Sequence, residues 1–339
     1  MRQDFHRPMR TVALEEHFSI PELVARLPAE RLAAQGNPPP AQWPALIRAT
    51  HAALLELGAS RIADLDANGI TLQVLAWAGS GADILDGADA VAWARDCNDA
   101  LASRVAAYPD RLAGFAHLPV GVPQAAADEL ERCVRQLGFK GAMINGTTQG
   151  RFLDHPDFVP LLTRFEQLDV PLYLHPNLPP PIVRQAYYAD LPGSTGFDLA
   201  TYGMGWHAEV GLHVLRLVLS GTLDRHPRLK LIIGHMGEFL PMTLARTDQL
   251  LAGDCAHLQR PIARQLREQV WLTTSGQFTL PLLRLAIDTF GIDRVLFSVD
   301  YPFSSNAEAR AFLDGLDLAP ADLAKISHGN ADRLLKLTS

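Results

Sequence analysis

The chain has 339 residues, 48% of them hydrophobic and 20% charged, with a formal net charge of −7. This composition supports a large globular core, and the acidic balance argues against a phosphate-backbone binder, which needs a basic face. The three cysteines, Cys97, Cys133 and Cys255, are far apart and lack C-x-x-C spacing, so neither a disulfide framework nor a thiolate zinc site is expected. Residues 1–10 carry charges with no apolar run behind them, and no stretch reaches about 18 uninterrupted apolar residues. No nucleic-acid or membrane partner is expected, and the reading is a cytoplasmic enzyme or binding protein.

In chain order, short β-rich runs alternate with longer segments of helical period. The predicted strands are Thr11–Glu15, Thr71–Trp77, Leu112–His117, Ala142–Asn145, Val170–His175, Leu229–His235, Val270–Thr274 and Val295–Asp300. Most are continuous apolar stretches, as parallel strands buried on both faces require. The predicted helices are Trp43–Asn68, Ala88–Ala107, Pro123–Leu137, Pro156–Leu168, His207–Gly221, Leu240–Ala252, Pro281–Phe290 and Pro320–Leu337. Eight strands alternating with eight helices is the pattern of a (β/α)8 TIM barrel, here a single α/β domain over residues 1–339; a doubly wound open sheet is the alternative. Two connections are long: residues 18–42, with Pro38-Pro39-Pro40, and residues 176–206, with Pro179-Pro180-Pro181. Both leave C-terminal strand ends, where barrel active sites lie, and each reads as a pocket lid or a subunit contact.

Polar residues punctuate that same face. Strand one ends in Glu15-Glu16-His17, strand five in His175-Pro176, strand six in Gly234-His235-Met236-Gly237-Glu238, and strand eight in Asp300-Tyr301-Pro302. Glu15 and His17 are two apart and share a strand face, while Glu16 points the other way. With His175 and Asp300 they make two carboxylates and two imidazoles at one barrel mouth, a donor set for one divalent ion: Zn²⁺ first, Mn²⁺ or Mg²⁺ otherwise. Any one of them alone reads as structural. Lys140 precedes strand four, at the opposite rim, so no lysine is placed to bridge a second metal. His235 reads as a proton shuttle, a substrate partner or a fifth ligand, and Glu238 as its orienting carboxylate or as a helix cap. Asn145, Trp206 and Phe303 are the substrate-contact candidates, the two rings being wall or core. His117 and Thr274-Ser275 are read as pocket-lining or structural, His213 as packed, and His51, His155, His226 and His257 as surface.

Four stretches carry a resemblance: Val12-Ala13-Leu14-Glu15-Glu16-His17-Phe18, Tyr173-Leu174-His175-Pro176, Gly234-His235-Met236-Gly237-Glu238 and Leu296-Phe297-Ser298-Val299-Asp300-Tyr301-Pro302-Phe303. In this order they resemble the amidohydrolase-related metal-dependent decarboxylases, nearest the γ-resorcylate and 2,3-dihydroxybenzoate enzymes and more distantly aminocarboxymuconate-semialdehyde decarboxylase. The resemblance implies an amidohydrolase-like barrel with Glu15, His17, His175 and Asp300 as metal ligands and His235 and Glu238 as catalytic neighbours. It also implies a homodimer or homotetramer. A glutamate in the first ligand position implies an ortho-hydroxylated aromatic acid as substrate. One departure is Ser304, where the family carries an acidic residue beside the pocket.

The expected reaction is non-oxidative decarboxylation of a hydroxylated aromatic or related unsaturated acid. Asp300 is the expected proton donor to the ring carbon, with a pKa raised by burial beside other negative charge. The alternatives are hydrolysis of a lactone or amide by the same ligands, with Asp300 as base, and a non-catalytic metal-binding protein.

Overall fold

The computed structural model describes residues 9–337; the sequence reading of residues 1–8 lies outside them. Nine strands follow in chain order: β1 (Val12–Phe18), β2 (Leu72–Trp77), β3 (Leu112–Gly114), β4 (Ala116–His117), β5 (Ala142–Asn145), β6 (Leu172–His175), β7 (Leu231–Ile233), β8 (Val270–Thr273) and β9 (Val295–Leu296). Every paired neighbour is parallel, in the orders β1-β2-β3 and β4-β5-β6-β7-β8-β9. Strands β3 and β4 are one predicted strand that changes partner at Phe115. Its N–H bonds Leu75 O toward β2, and the next N–H, of Ala116, bonds Gly141 O beside β5. Eight strand positions therefore run in sequence order, as in a (β/α)8 barrel. Between β9 and β1 the bonds run mainly through side chains. Leu14 N and Glu15 N donate to Ser298 Oγ, Val299 N donates to Glu16 Oε1, and His17 N donates to Tyr301 O.

The buried strand residues fall into two layers. Leu14, Val74, Phe115, Met143, Tyr173, Ile232 and Leu296 form one cluster, and Ala13, Leu75, Leu172, Leu174, Ile233 and Leu272 belong to the larger cluster that includes the helices. Strand β1 is buried along its whole length and breaks step once: Ala13 faces Gln73 and Glu16 faces Leu75, so Leu14 and Glu15 together oppose Val74. This bulge decides the site. Strict alternation from Val12 and Leu14 would put Glu16 on the inner side, whereas the extra residue turns Glu15 and His17 inward and Glu16 toward the end of β9.

Helices differ from the expected ones in places with local causes. The predicted helix Trp43–Asn68 is two, Ala45–Leu55 and Ala59–Ala67, broken where Glu56 Oε1 accepts the Gly58 N–H. The closing helix is three pieces, Pro320–Ala324, Lys325–Gly329 and Asn330–Leu335. Among the helices not expected are Ile262–Gln269, Asn306–Asp314 and the single turn Thr222–Arg225. The long connections hold short helices, among them Ala29–Gln35, Pro181–Tyr187 and Thr195–Asp198. Among the described residues no helix is long and apolar enough to cross a membrane.

Two histidines away from the barrel mouth are informative. His226, expected at the surface, is buried because its Nδ1 donates to Glu166 Oε2 at 2.8 Å. His213 is packed as expected: its Nε2 accepts from Leu153 N at 2.8 Å, and burial lowers its pKa from 6.5 to about 3. The unfolded chain therefore takes up a proton first as pH falls. The stability contributed by the neutral ring is whole above pH 6.5 and drains away as pH falls toward 3. The difference in unfolding free energy between the wild type and His213→Asn, which keeps an acceptor but does not titrate, should shrink as pH falls below 6.5. A difference independent of pH in urea titrations contradicts the buried neutral ring.

Candidate active site

The inner side of β1 meets the end of β6 at the barrel mouth. Glu15, His17 and His175 each offer one ligand atom, all within 4.8 Å of one another. His175 Nδ1 donates to Pro176 O at 2.8 Å, which leaves Nε2 bare and facing Glu15 Oε1 at 3.5 Å. Burial, and then the neighbouring His17, lower the His175 pKa to about 3, so the ring is neutral with a free lone pair. Glu15 is wholly buried, and burial raises its pKa. Among the described residues its Oε1 has no hydrogen-bond partner, and neither do Nδ1 and Nε2 of His17. Gly234 makes room for this carboxylate, since a Cβ there would lie 2.6 Å from Glu15 Oε2.

Asp300 completes the cluster from beyond β9. Its Oδ1 lies 3.2 Å from His17 Nε2 and its Oδ2 lies 3.6 Å from His235 Nε2. Asp300 has a left-handed backbone (φ 73°), and Glu16 holds the peptides around it. Glu16 Oε1 accepts from Val299 N and Ser298 Oγ, and Oε2 accepts from Tyr301 N and Gln73 Nε2. Burial pushes the Glu16 pKa up, and the bonds from Val299 N and Ser298 Oγ and the charge of Arg61 oppose that rise. Arg61, also buried, donates to His17 O at 2.7 Å and lies over the Tyr301 ring.

After β7 the chain turns sharply. His235, Met236, Glu238 and Phe239 all have positive φ, at roughly 1–2 kcal/mol per non-glycine residue. The turn aims two side chains at each other. His235 Nδ1 donates to Glu238 Oε1 at 2.7 Å, and His207 Nδ1 donates to Glu238 Oε2 at 2.6 Å. His207 Nε2 faces Tyr202 O at 3.2 Å. Both oxygens of Glu238 are therefore spent on imidazoles, and helix Leu240–Leu251 begins after it without a side-chain cap. Burial raises the Glu238 pKa, but His235 and His207 outweigh it and bring it to about 2. Burial favours a neutral His235, but Glu238, Glu15 and Asp300 outweigh it and hold its pKa well above the usual value.

This geometry corrects the expected protonation of Asp300. Burial does push its pKa up, but the imidazoles of His17 and His235 win and hold it below the ordinary carboxylate range. These directions favour a charged His235 facing an ionised Asp300, with Nε2 3.6 Å from Oδ2.

The remaining predicted residues divide. Trp206 and Phe303 stand beside the cluster, with ring centroids 6.4 Å from His175 and 5.5 Å from His17. Trp206 Nε1 is buried without a partner. Asn145 sits opposite His175 in the β5–β6 register; its Nδ2 donates to Gly79 O and its Oδ1 is unpartnered. His117 is not part of the cluster: its Nε2 accepts from Ala82 N, its ring packs on Trp93, and burial lowers its pKa to about 4. Thr274 bonds the Ser298 backbone, which is the structural of its two readings. Sequence reading missed His207 and Tyr173. His207 adjoins the flagged Trp206, and a carboxylate placed to orient one imidazole has a second oxygen to satisfy.

The donor set tests well for a divalent ion. Two carboxylates offset its charge, one imidazole is fixed as a neutral donor, and the orphaned Oε1 of Glu15 and Nε2 of His17 lack only a cation. Residues 33–337 match the family described as "Amidohydrolase". The chain belongs to the amidohydrolase family. A gamma-resorcylate decarboxylase of Rhizobium sp. (strain MTP-10005) is 38% identical over 339 residues, spanning 96% of this chain and 98% of that one. Decarboxylase orsB of Emericella nidulans is 37% identical over 292 residues, spanning 84% and 87%. The crystal structure of a dihydroxybenzoic acid decarboxylase from Polaromonas sp. JS666, with bound manganese and the inhibitor 2-nitroresorcinol, matches at a TM-score of 0.86 and 35% identity over 97% of each chain. All three of these relatives are decarboxylases, and this amidohydrolase-family chain shares the fold of the Polaromonas structure.

Proposed function

We propose that the protein is a metal-dependent, non-oxidative decarboxylase of an ortho-hydroxylated aromatic carboxylic acid. The observation that carries this reading is the meeting of Glu15, His17, His175 and Asp300 at one barrel mouth, with His235 directed at Asp300. One divalent ion would be held by those four residues. The sequence favours Zn²⁺, but the manganese in the Polaromonas relative and the two carboxylates of the donor set make Mn²⁺ the first choice. When bound, the ion supplies Lewis-acid stabilisation of negative charge on the substrate oxygens.

The chain's own residues do the rest. Trp206 and Phe303 flank the aromatic ring. The unpartnered Asn145 Oδ1 accepts a substrate hydroxyl and Trp206 Nε1 donates to a substrate oxygen, each relieving an orphaned buried group. His235 stores a proton on Nε2, kept in place by Glu238 and His207. That proton passes through Asp300 Oδ2 to the ring carbon bearing the carboxylate. The bond to the carboxylate then breaks, its electron pair restores aromaticity, and CO₂ leaves. A homodimer or homotetramer belongs to the same reading, and sedimentation velocity reports it.

Turnover of 2,6-dihydroxybenzoate by the Mn²⁺-loaded protein in D₂O is the test. The expected result is one CO₂ per product molecule, with deuterium on the vacated ring carbon. Hydrolysis of a lactone or amide, with no CO₂ from any ortho-hydroxybenzoate, would replace the proposal with the hydrolase reading.

A further inference from the structure

The two oxygens of Glu15 are held unequally. Oε2 accepts the hydroxyl of Tyr173 in a short contact and that of Thr273 at 3.3 Å, while Oε1 has no partner and looks toward His175 Nε2 at 3.5 Å. Ser275 Oγ lies 2.7 Å from Thr273 Oγ1 and extends the hydroxyl chain behind the carboxylate. Tyr173 is on β6, two residues before His175, and its ring packs in the inner layer 5.9 Å from Phe115. Tyr173 is fully buried, and its hydroxyl donates to Glu15 Oε2. Gly234 lies against the same carboxylate, where a Cβ would clash with Oε2.

We propose that Tyr173, by occupying Oε2, is a positioning residue that commits Glu15 to bind the divalent ion through Oε1 alone. The inference rests on the metal reading above and adds a residue that touches neither ion nor substrate. A carboxylate with both oxygens free can chelate with both and use up an extra coordination position. Holding one oxygen on a phenol removes that option and leaves a position for a substrate oxygen. Partners of metal ligands commonly change affinity by about 10–100-fold when removed.

Metal-free wild type, Tyr173→Phe and Thr273→Val are titrated with Mn²⁺ alone, reading the free ion by electron paramagnetic resonance. Phenylalanine keeps the ring and removes only the donor, so a purely packing role predicts wild-type affinity. The expected result is an affinity about 10–100-fold weaker in Tyr173→Phe, with an altered bound-Mn²⁺ spectrum. Thr273→Val should weaken binding by a smaller factor. Wild-type affinity and spectrum in Tyr173→Phe overturn the proposal. If that variant does not fold, wild-type affinity in Thr273→Val overturns it. Failure of the wild type itself to take up Mn²⁺ defeats the metal reading first, and is distinguished by that control.

Discussion

Asp300→Asn should lower kcat for decarboxylation by about 10²–10⁴-fold, the usual worth of a positioned general acid. The amide keeps the shape and can still face His17 and His235, but it cannot take a proton from His235 Nε2 and pass it on. The effect should fall on kcat more than on KM, because stacking by Trp206 and Phe303 is untouched. Metal content measured alongside turnover separates two causes, since Asp300 is also a proposed ligand. A variant that holds stoichiometric metal and still turns over at near wild-type rate rules out the donor role. His207→Ala bears on the same relay and leaves every proposed ligand in place. A loss of rate there with unchanged metal content points to proton storage on His235.

The second large effect is expected at a residue that touches no metal. Glu16→Gln should cost about 1–3 kcal/mol for each buried donor it leaves unpaired and should also weaken Mn²⁺ binding. Its carboxylate accepts Val299 N with one oxygen and Tyr301 N with the other, on either side of Asp300. Whichever way the amide turns, its NH₂ faces one of those N–H groups. The peptide so displaced is the one that sets the left-handed backbone of Asp300. Urea unfolding with and without Mn²⁺ reads both consequences. Wild-type stability and Mn²⁺ affinity in Glu16→Gln contradict this role.

The barrel was legible because parallel strands buried on both faces leave continuous apolar runs, and Leu172–His175 and Ala142–Asn145 stand close to where those runs put them. What was hidden has physical reasons. Helix Ile262–Gln269 buries Gln265 and Gln269 along with its apolar residues, so its inward face does not read as apolar. Helix Asn306–Asp314 did carry a signal: Ser305 Oγ caps the Glu308 N–H, a Ser-x-x-Glu capping pattern. The ligand residues were legible from their places at strand ends. The reason Glu15 and His17 face inward was not, because it is a bulge visible only in the register with β2. Tyr173 passed as core filling, since nothing local distinguishes a buried ring from a buried ring with a task. The protonation of Asp300 was misread because counting only negative neighbours leaves out His235, which comes close only through the strained turn after β7.

Anomalous diffraction from crystals of the Mn²⁺-loaded protein locates the ion among the four proposed ligands or elsewhere. The expected result is one ion per chain, in contact with Glu15 Oε1, His17 Nε2, His175 Nε2 and Asp300. A manganese peak elsewhere, or a protein that binds no divalent ion while Glu15 and His17 keep the orientations described above, contradicts it.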